Sequence, residues 1–250
     1  ITIVAKPVGM KTNRLYALLL LVGVPIFVSA QRDRGYKFSD GFFWGLKAGA
    51  TYSSIDGLAN TLIDPIYPED SYETATDPRL GGAVSLFIDY RHSSDAYLAA
   101  RLEFGYTMQG GTFAYQDVND LTYELGVNYD YLTIAPLLKL NIPPDWPYLL
   151  AGVQFGINVT GQNLSYTSND DPGINLQVQQ SLRDVLKGRS NTGLVAGLGF
   201  EITRSGLYLE GRYTLGLTDV IETQPNGFLF IETPNNISYW QVTVGMPIAF

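Results

Sequence analysis

The feature that most constrains the fold is a pair of alternating runs within residues 130–161, separated by the break Pro143-Pro144-Asp145-Trp146-Pro147. Apolar side chains occupy every second position over about a dozen residues in each run, and a period of two is typical of a β-strand. Two such runs around a short turn predict a β-hairpin. The richer apolar face carries Leu132, Ile134, Pro136, Leu138, Leu140 and Ile142 in the first run, and Leu149, Ala151, Val153, Phe155, Ile157 and Val159 in the second.

The length of these runs favours a membrane strand over a soluble one. A strand in a soluble protein is commonly about 5–6 residues long. A tilted strand that crosses a bilayer needs roughly 9–11 residues. Both runs are as long as a strand that crosses a bilayer, so the hairpin is predicted to lie in a membrane.

The same alternation recurs in six further runs and gives eight predicted strands, the smallest usual number for a membrane barrel. The predicted fold is all-β: an eight-stranded antiparallel up-and-down transmembrane β-barrel. Frequent glycine (26 residues), 13% aromatic and only 16% charged residues favour this barrel over the alternative, a soluble sandwich. The six further runs are residues 42–53, 80–92, 96–108, 192–203, 207–217 and 238–250.

The predicted connections alternate between short and long. Outer-membrane barrels have short periplasmic turns and long extracellular loops, whereas a soluble sandwich has no reason to sort its connections in this way. The alternation therefore indicates which end of the barrel faces the periplasm. The short connections are residues 93–95, 143–147 and 204–206, and the long ones are residues 54–79, 109–127, 162–191 and 218–237.

The charged side chains of the predicted strands fall on the face opposite the bulky apolar one. A Lys or Arg on the lipid face near midplane costs about 2–4 kcal/mol, whereas charges inside the barrel can pair. Eight strands leave an interior just wide enough for side chains to fill. A barrel-interior charge network that plugs the lumen is predicted, with a gated polar channel as the alternative. Its members are Lys47, Asp89, Arg91, Arg101, Glu103, Lys139, Glu201, Glu210 and Arg212.

The beginning of the sequence has the features of a secretory signal peptide. Lys11 and Arg14 form a basic start, residues 15–28 are apolar, and small residues up to Ala30 form a cleavage site. A transmembrane anchor is the alternative, although the apolar run is short for a full span. We expect export, cleavage near Ala30 and a place in the bacterial outer membrane. The expected organisation is an upstream extension plus signal peptide in residues 1–30, a periplasmic lead-in in residues 31–41 and the barrel in residues 42–250.

Aromatic residues cluster near the predicted strand ends, where belts of Tyr and Trp are expected at the membrane interfaces. The chain also ends in Phe250, at the close of the last alternating run. A terminal aromatic on a final amphipathic strand resembles the signal that bacterial barrel-assembly machinery recognises, which makes that machinery an expected partner. The candidate belt residues are Phe42, Phe43, Trp44, Tyr52, Tyr90, Tyr97, Tyr106, Tyr129, Tyr131, Trp146, Tyr148, Tyr239 and Trp240.

The long connections are acidic, and one of them has a helical period. Their carboxylates could bind divalent cations at a lipopolysaccharide surface, or could simply be solvated; outer-membrane lipid and lipopolysaccharide are expected partners. In residues 174–187 the spacing of Val178, Leu182, Val185 and Leu186 predicts a short amphipathic helix. Such a helix could pack over the rim, cap the barrel mouth or dock on a partner.

The sequence offers little for catalysis or nucleic-acid binding. The net charge of −8 argues against a nucleic-acid partner. The one histidine, His92, lies next to a predicted turn, whereas a catalytic triad needs a partnered histidine in a cleft. The sequence contains no cysteine and no phosphate-binding loop. We therefore predict a protein that is not an enzyme, with no catalytic, cofactor or metal site.

Three stretches resemble the PorT-like outer-membrane β-barrel domain of Bacteroidota. They are residues 131–143 with 147–153 in the central hairpin, residues 45–53 in the opening strand, and residues 197–201 with 207–219 in the last hairpin. The resemblance extends over residues 41–250 and implies the barrel fold and the outer membrane. It implies little about activity, although one branch of this family assists protein export through the gliding-associated secretion system.

The predicted function is therefore a structural or partner-docking barrel of the outer membrane, with an envelope protein as the expected partner. The resemblance extends this prediction to assisting a secretion or gliding apparatus. A small-solute pore or transporter, an outer-rim binding protein or adhesin, and a rim enzyme acting on lipid or peptide are the alternatives.

Overall fold

The computed structural model describes residues 41–58, 72–92, 97–118, 120–142, 147–169, 172–202, 207–224 and 233–248. The expected signal peptide in residues 1–30, nearly all of the lead-in and the terminal Phe250 lie outside these residues. No helix in the described part of the chain is long and apolar enough to span a membrane.

The described chain is mostly β-strand, with one helix of more than one turn. The strands are β1 (Gly41–Asp56), β2 (Tyr72–Arg91), β3 (Leu98–Asp117), β4 (Thr122–Asn141), β5 (Pro147–Asn158), β6 (Leu164–Ser168), β7 (Leu186–Gly188), β8 (Asn191–Ile202), β9 (Leu207–Gly216), β10 (Ile221–Thr223) and β11 (Asn236–Ile248), and the helix is α1 (Pro172–Val185).

Eight of these strands close into a ring in the order β1-β2-β3-β4-β5-β8-β9-β11, with β11 pairing back onto β1. Every neighbouring pair in the ring is antiparallel. Closure leaves no open sheet edge around the ring, which is how a β-structure satisfies its backbone in lipid. The predicted eight-stranded antiparallel barrel is confirmed.

Exposure along the strands alternates as the sequence pattern predicts. In β4, Leu132, Ile134 and Leu138 are exposed, while Thr133 and Lys139 between them are buried. The same alternation places exposed leucine, valine and phenylalanine around the outside of the ring. A soluble monomer rarely exposes so broad an apolar surface, and hydrocarbon is the solvent that suits it.

One predicted long connection is wrong. Residues 109–127 are mostly strand, because β3 continues to Asp117 and β4 already begins at Thr122. The two strands pair without interruption from the barrel out to Gln116 opposite Thr122. Gly110 and Gly111 interrupt the apolar alternation at this point, but backbone hydrogen bonding does not depend on side chains, so the ladder continues. The connection from β1 to β2 is also shorter than predicted, since β2 begins at Tyr72.

The extended strands form a structure beyond the barrel that we call the cap. It comprises the distal parts of β2, β3 and β4, the strand β6 that pairs with β4, the helix α1, and the two-stranded sheet of β7 with β10. The predicted helix in residues 174–187 is confirmed, with bounds of Pro172–Val185. Leu186 leaves the helix and begins β7, where it is still buried.

Candidate functional site: the barrel lumen and the cap

The lumen brings together most of the charged residues that the strand pattern assigns to one face. Arg91 is also buried there, while the side chain of Glu201 lies outside the described part of the structure. Seven of the nine residues form a single chain of ion pairs: Lys47, Asp89, Arg101, Glu103, Lys139, Glu210 and Arg212.

Two of these ion pairs connect opposite walls of the barrel. Arg101 Nη1 lies 2.8 Å from Glu210 Oε2, and Arg212 Nη1 lies 2.7 Å from Glu103 Oε2. Arg101 and Glu103 belong to β3, whereas Glu210 and Arg212 belong to β9, which is four strands away in either direction around the ring. Side chains from opposite walls therefore meet in the middle of the lumen.

The remaining ion pairs connect these two wall-to-wall pairs and extend the network towards the end of the barrel that carries the short turns. Lys47 Nζ lies between Glu103 and Glu210, at 2.6 and 2.7 Å. Asp89 accepts two hydrogen bonds from Arg101, at 2.5 and 2.8 Å, and lies 3.4 Å from Lys139 Nζ. Each charge in the network thus has an opposite charge beside it, which a dry interior requires.

Aromatic rings fill the space around the charges at the short-turn end. The Arg101 guanidinium lies 4.6 Å from the centre of the Phe87 ring, and Lys139 Nζ lies 4.2 Å from that of Tyr148. The Tyr148 hydroxyl donates to Glu210 Oε2 at 2.9 Å. Phe87 and Tyr208 pack edge to face, with ring centres 5.7 Å apart. Cations over ring faces gain electrostatic stabilisation in addition to their ion pairs.

The belt prediction is wrong for four tyrosines that face the lumen. Tyr129, Tyr131, Tyr148 and Tyr239 are at most 1% exposed. The pattern contains the signal for this, because Tyr131 shares its face with Lys139 and not with the outward leucines. Gln154 lies on the inward face of β5, as the alternation predicts, and it donates to the Tyr239 hydroxyl at 2.5 Å. Exposed candidates that do lie on the outer surface are Phe42, Tyr52, Tyr90, Tyr97 and Trp240.

The arrangement fills the lumen with ion pairs that join opposite walls. Among the described residues no group of three His, Cys, Asp or Glu side chains could hold a metal ion. His92 is exposed at the end of β2, beside the short turn. A solute that crossed the lumen would have to separate Arg101 from Glu210 and Arg212 from Glu103. Leaving such charges buried and unpaired is strongly unfavourable.

The cap has a hydrophobic core of its own, continuous with the upper lumen. Phe113 and Leu125 from the extended hairpin, Leu182 from α1 and Ile221 from β10 are all buried in it. Tyr115 and Tyr123 stack beside this core with ring centres 4.7 Å apart. The cap is therefore a packed structure above the barrel mouth.

The surface of the cap exposes a few large apolar side chains. Val118 at the tip of the β3–β4 hairpin is 72% exposed, and Leu176 on α1 is 73% exposed. Leu121 at the same tip and Ile174 on α1 are exposed as well. These side chains lie outside the apolar band of the ring and so are not explained by contact with hydrocarbon.

The base of the cap carries Arg183, Lys187 and Arg189 outside the lumen. Arg189 Nε donates to Glu222 Oε2 at 3.0 Å. This hydrogen bond, together with the positive charge of Arg189, holds the pKa of the Glu222 carboxyl below its ordinary value. Arg183 and Lys187 line an open cavity of about 550 Å³ beside the connection that follows β5.

A family model described as an outer membrane protein beta-barrel domain matches residues 29–222 of this chain. No curated protein matches the sequence.

Solved structures of outer-membrane proteins are similar to this chain at low identity. OprG from Pseudomonas aeruginosa is 15% identical with a TM-score of 0.44, and the match covers 85% of this chain and 98% of OprG. The attachment invasion locus protein Ail of Yersinia pestis is 12% identical with a TM-score of 0.37, covering 84% of this chain and 99% of Ail. Neisserial surface protein A is 11% identical with a TM-score of 0.38, covering 83% and 99%.

Proposed function

The chain belongs to the family of outer membrane proteins with a β-barrel domain, and from this premise we propose that it is a closed barrel whose cap docks a protein partner. The observation that carries the proposal is the lumen. Two ion pairs, Arg101 with Glu210 and Glu103 with Arg212, join opposite walls. A barrel whose lumen is closed in this way acts through its outer surfaces and not as a channel.

The cap supplies the surface for docking. A loop with only a solubilising role has no need of its own hydrophobic core, yet the cap has one. Exposed Val118 and Leu176 are large apolar groups on its outside. Exposed apolar side chains grouped in one place, as Val118 and Leu121 are at the hairpin tip, are a feature of protein-binding surfaces.

The orientation belongs to the same proposal. We assign the short connections to the periplasm and the cap to the cell exterior, because barrels of this class have short periplasmic turns. The expected signal peptide in residues 1–30 and recognition of Phe250 by the assembly machinery fit this route. The finer assignment, a PorT-like protein of Bacteroidota that assists a secretion or gliding apparatus, rests on the resemblance of residues 131–143 and 207–219.

Site-specific photo-cross-linking in native membranes tests the docking surface. A photoreactive residue at Val118 is expected to capture one discrete envelope protein. The same residue at Thr167, an exposed polar position on β6, serves as the control and is expected to give little product. Equal yields at both positions, or no discrete product at Val118, would contradict docking through the hairpin tip.

Planar-bilayer recording tests closure against the pore alternative. The reconstituted wild-type barrel is expected to give no unitary conductance. An Arg101→Ala and Arg212→Ala double variant removes one partner of each wall-to-wall pair and should create current steps if it folds. Steps of defined size from the wild-type protein would instead support a small-solute pore.

A further inference from the structure

The cavity lined by Arg183 and Lys187 lies where the lipid-facing surface of β5 ends. Phe155, Ile157 and Val159 are exposed on the outer face of this strand and its end. Gly161, two residues further, already lines the cavity. Two extended residues would span roughly 7 Å, and the chain turns back on Asn158 at this point, so the cavity lies within that distance of the last lipid-facing side chain. A position this close to the end of the apolar surface falls in the headgroup layer, which is roughly 5–8 Å thick.

Both cations are available to an anion. Arg183 is anchored through Nε and Nη2, which donate to the Leu164 carbonyl at 3.3 and 2.8 Å. Lys187 lies opposite Glu222 across the β7–β10 pair, and its charge contributes to the lowered pKa of that carboxyl, but the hydrogen bond of the Glu222 carboxylate goes to Arg189. Within the part of the chain that the structure describes, neither Arg183 nor Lys187 forms an ion pair.

The walls of the cavity are fixed to one another. Gly188 N donates to the Gly161 carbonyl at 2.9 Å, which ties β7 to the connection after β5. A side chain at Gly188 would collide with Asn158, so this close approach requires glycine. Gln162 and Gln180 add two amides to the lining, and Thr160 also lines it, with its hydroxyl hydrogen-bonded to Asn158 and Asp130. Two cations with neutral donors around them suit a phosphate group.

Nearby acidic groups do not fill the cavity. The backbone of Asp130 is hydrogen-bonded to Val159 and Thr160 beside the cavity, but its carboxylate accepts a hydrogen bond from the Tyr106 hydroxyl of β3 at 2.7 Å. Asp184 is exposed on α1 next to Arg183. The chain as a whole is acidic, with a net charge of −8. Two cations that form no ion pair with described residues therefore stand out in one cavity at headgroup height.

We propose that this cavity binds the phosphate of a glycolipid of the outer leaflet, lipid A. The acyl chains would lie against Ile157 and Val159, and the phosphate would accept hydrogen bonds from Arg183 and Lys187. This inference rests on the proposed orientation, with the cap at the cell exterior, but not on the docking surface at Val118, because loss of lipid binding leaves that cross-link intact.

Equilibrium binding of fluorescent lipid A to the full-length barrel in detergent tests the site. Lys187→Gln is expected to weaken binding about tenfold, the usual loss for a charge-assisted hydrogen bond. Lys187→Arg should retain binding within about threefold. The control is Arg189→Gln combined with Glu222→Gln, which removes the neighbouring ion pair as a whole, leaves no unpaired carboxylate opposite Lys187, and is expected to change binding less than about twofold.

Three outcomes would overturn the proposal. They are unchanged binding by Lys187→Gln, equal losses from Lys187→Gln and from the Arg189→Gln and Glu222→Gln double variant, and equal affinity for dephosphorylated lipid A. Inorganic phosphate is the remaining probe: if it competes at the concentration of lipid A itself, the cavity is a site for free anions and not for a lipid. Arg183→Gln also breaks the bond to Leu164, so Lys187→Gln decides the question, with heat-modifiable gel migration reporting that the barrel is folded.

Discussion

Arg101 and Glu210 meet at 2.8 Å in the middle of the barrel although 109 residues separate them in the sequence. Their strands stand opposite each other in the ring, so the contact depends on the register of every pair between them. A slip of one residue would turn either side chain outward into hydrocarbon. The ion pair thus helps to select one register, in addition to closing the lumen.

Replacing Glu210 by alanine should strongly destabilise the barrel. The carboxylate accepts hydrogen bonds from Lys47, Arg101 and Tyr148, and its loss leaves buried cations short of a partner. Removing one member of a buried ion pair typically costs about 3–5 kcal/mol. Urea unfolding in lipid vesicles measures the loss. Glu124→Ala, at an exposed position of β4, is the control and should change the free energy of unfolding by less than about 0.5 kcal/mol. Equal midpoints for the two variants would contradict a network that holds the barrel together.

Two glycines on neighbouring strands should respond differently to alanine. A methyl group at Gly199 would overlap the Tyr148 ring, whose hydroxyl is bonded to Glu210. Gly211 has open space where its methyl group would lie. We expect Gly199→Ala to destabilise by about 1–3 kcal/mol, as overpacking does, and Gly211→Ala to be neutral or slightly stabilising. The same urea experiment compares them, and a loss at Gly211 equal to that at Gly199 would show that backbone effects dominate.

The barrel could be predicted from sequence because each of its strands must alternate between hydrocarbon and lumen. Lys139 and Leu138 illustrate this, since these adjacent side chains point in opposite directions. Lys139 points into the lumen and Leu138 points to the outside of the ring. The same rule sorted charged residues onto the inner face without any knowledge of their partners. Which residues meet, such as Lys47 with Glu210, depends on ring order and register over long separations, and a single sequence does not contain that information in readable form.

The cap could be predicted only in part. Helix α1 has its own period, with Leu182 and Val185 spaced for one buried face. The outer parts of β3 and β4 lack a clear alternation because Gly110 and Gly111 interrupt it, so they resemble a loop in composition. The buried tyrosines, including Tyr131, were assigned to the interface by residue type when their position in the alternation indicated the lumen.

The Arg189–Glu222 pair should make part of the cap sensitive to acid. The pKa of Glu222 is lowered by its hydrogen bond with Arg189. A carboxyl with a lowered pKa stabilises the fold above the ordinary value of about 4.3, and the contribution is lost as the pH falls through the lowered pKa. An NMR titration of the Glu222 carboxyl should therefore give a midpoint below the ordinary value. In Arg189→Gln the midpoint should rise towards it, since Gln224 and Lys187 still lower the pKa of Glu222, and identical midpoints in the two proteins would show that the pair does not persist in solution.

The outer apolar surface should reject charge where it faces lipid and tolerate charge where it does not. Ile134 lies midway along the exposed apolar run of β4, flanked across the ladder by exposed Phe104 and Phe155. An arginine near the bilayer midplane costs about 2–4 kcal/mol, so Ile134→Arg should lower the free energy of unfolding in vesicles by that amount. Val118 is even more exposed than Ile134, at 72% against 43%, but it lies at the tip of the cap. Val118→Arg should therefore change stability by less than about 0.5 kcal/mol. If the two variants were equally destabilised, exposure alone would set the cost, and the assignment of the ring to lipid and of the cap to water would be wrong.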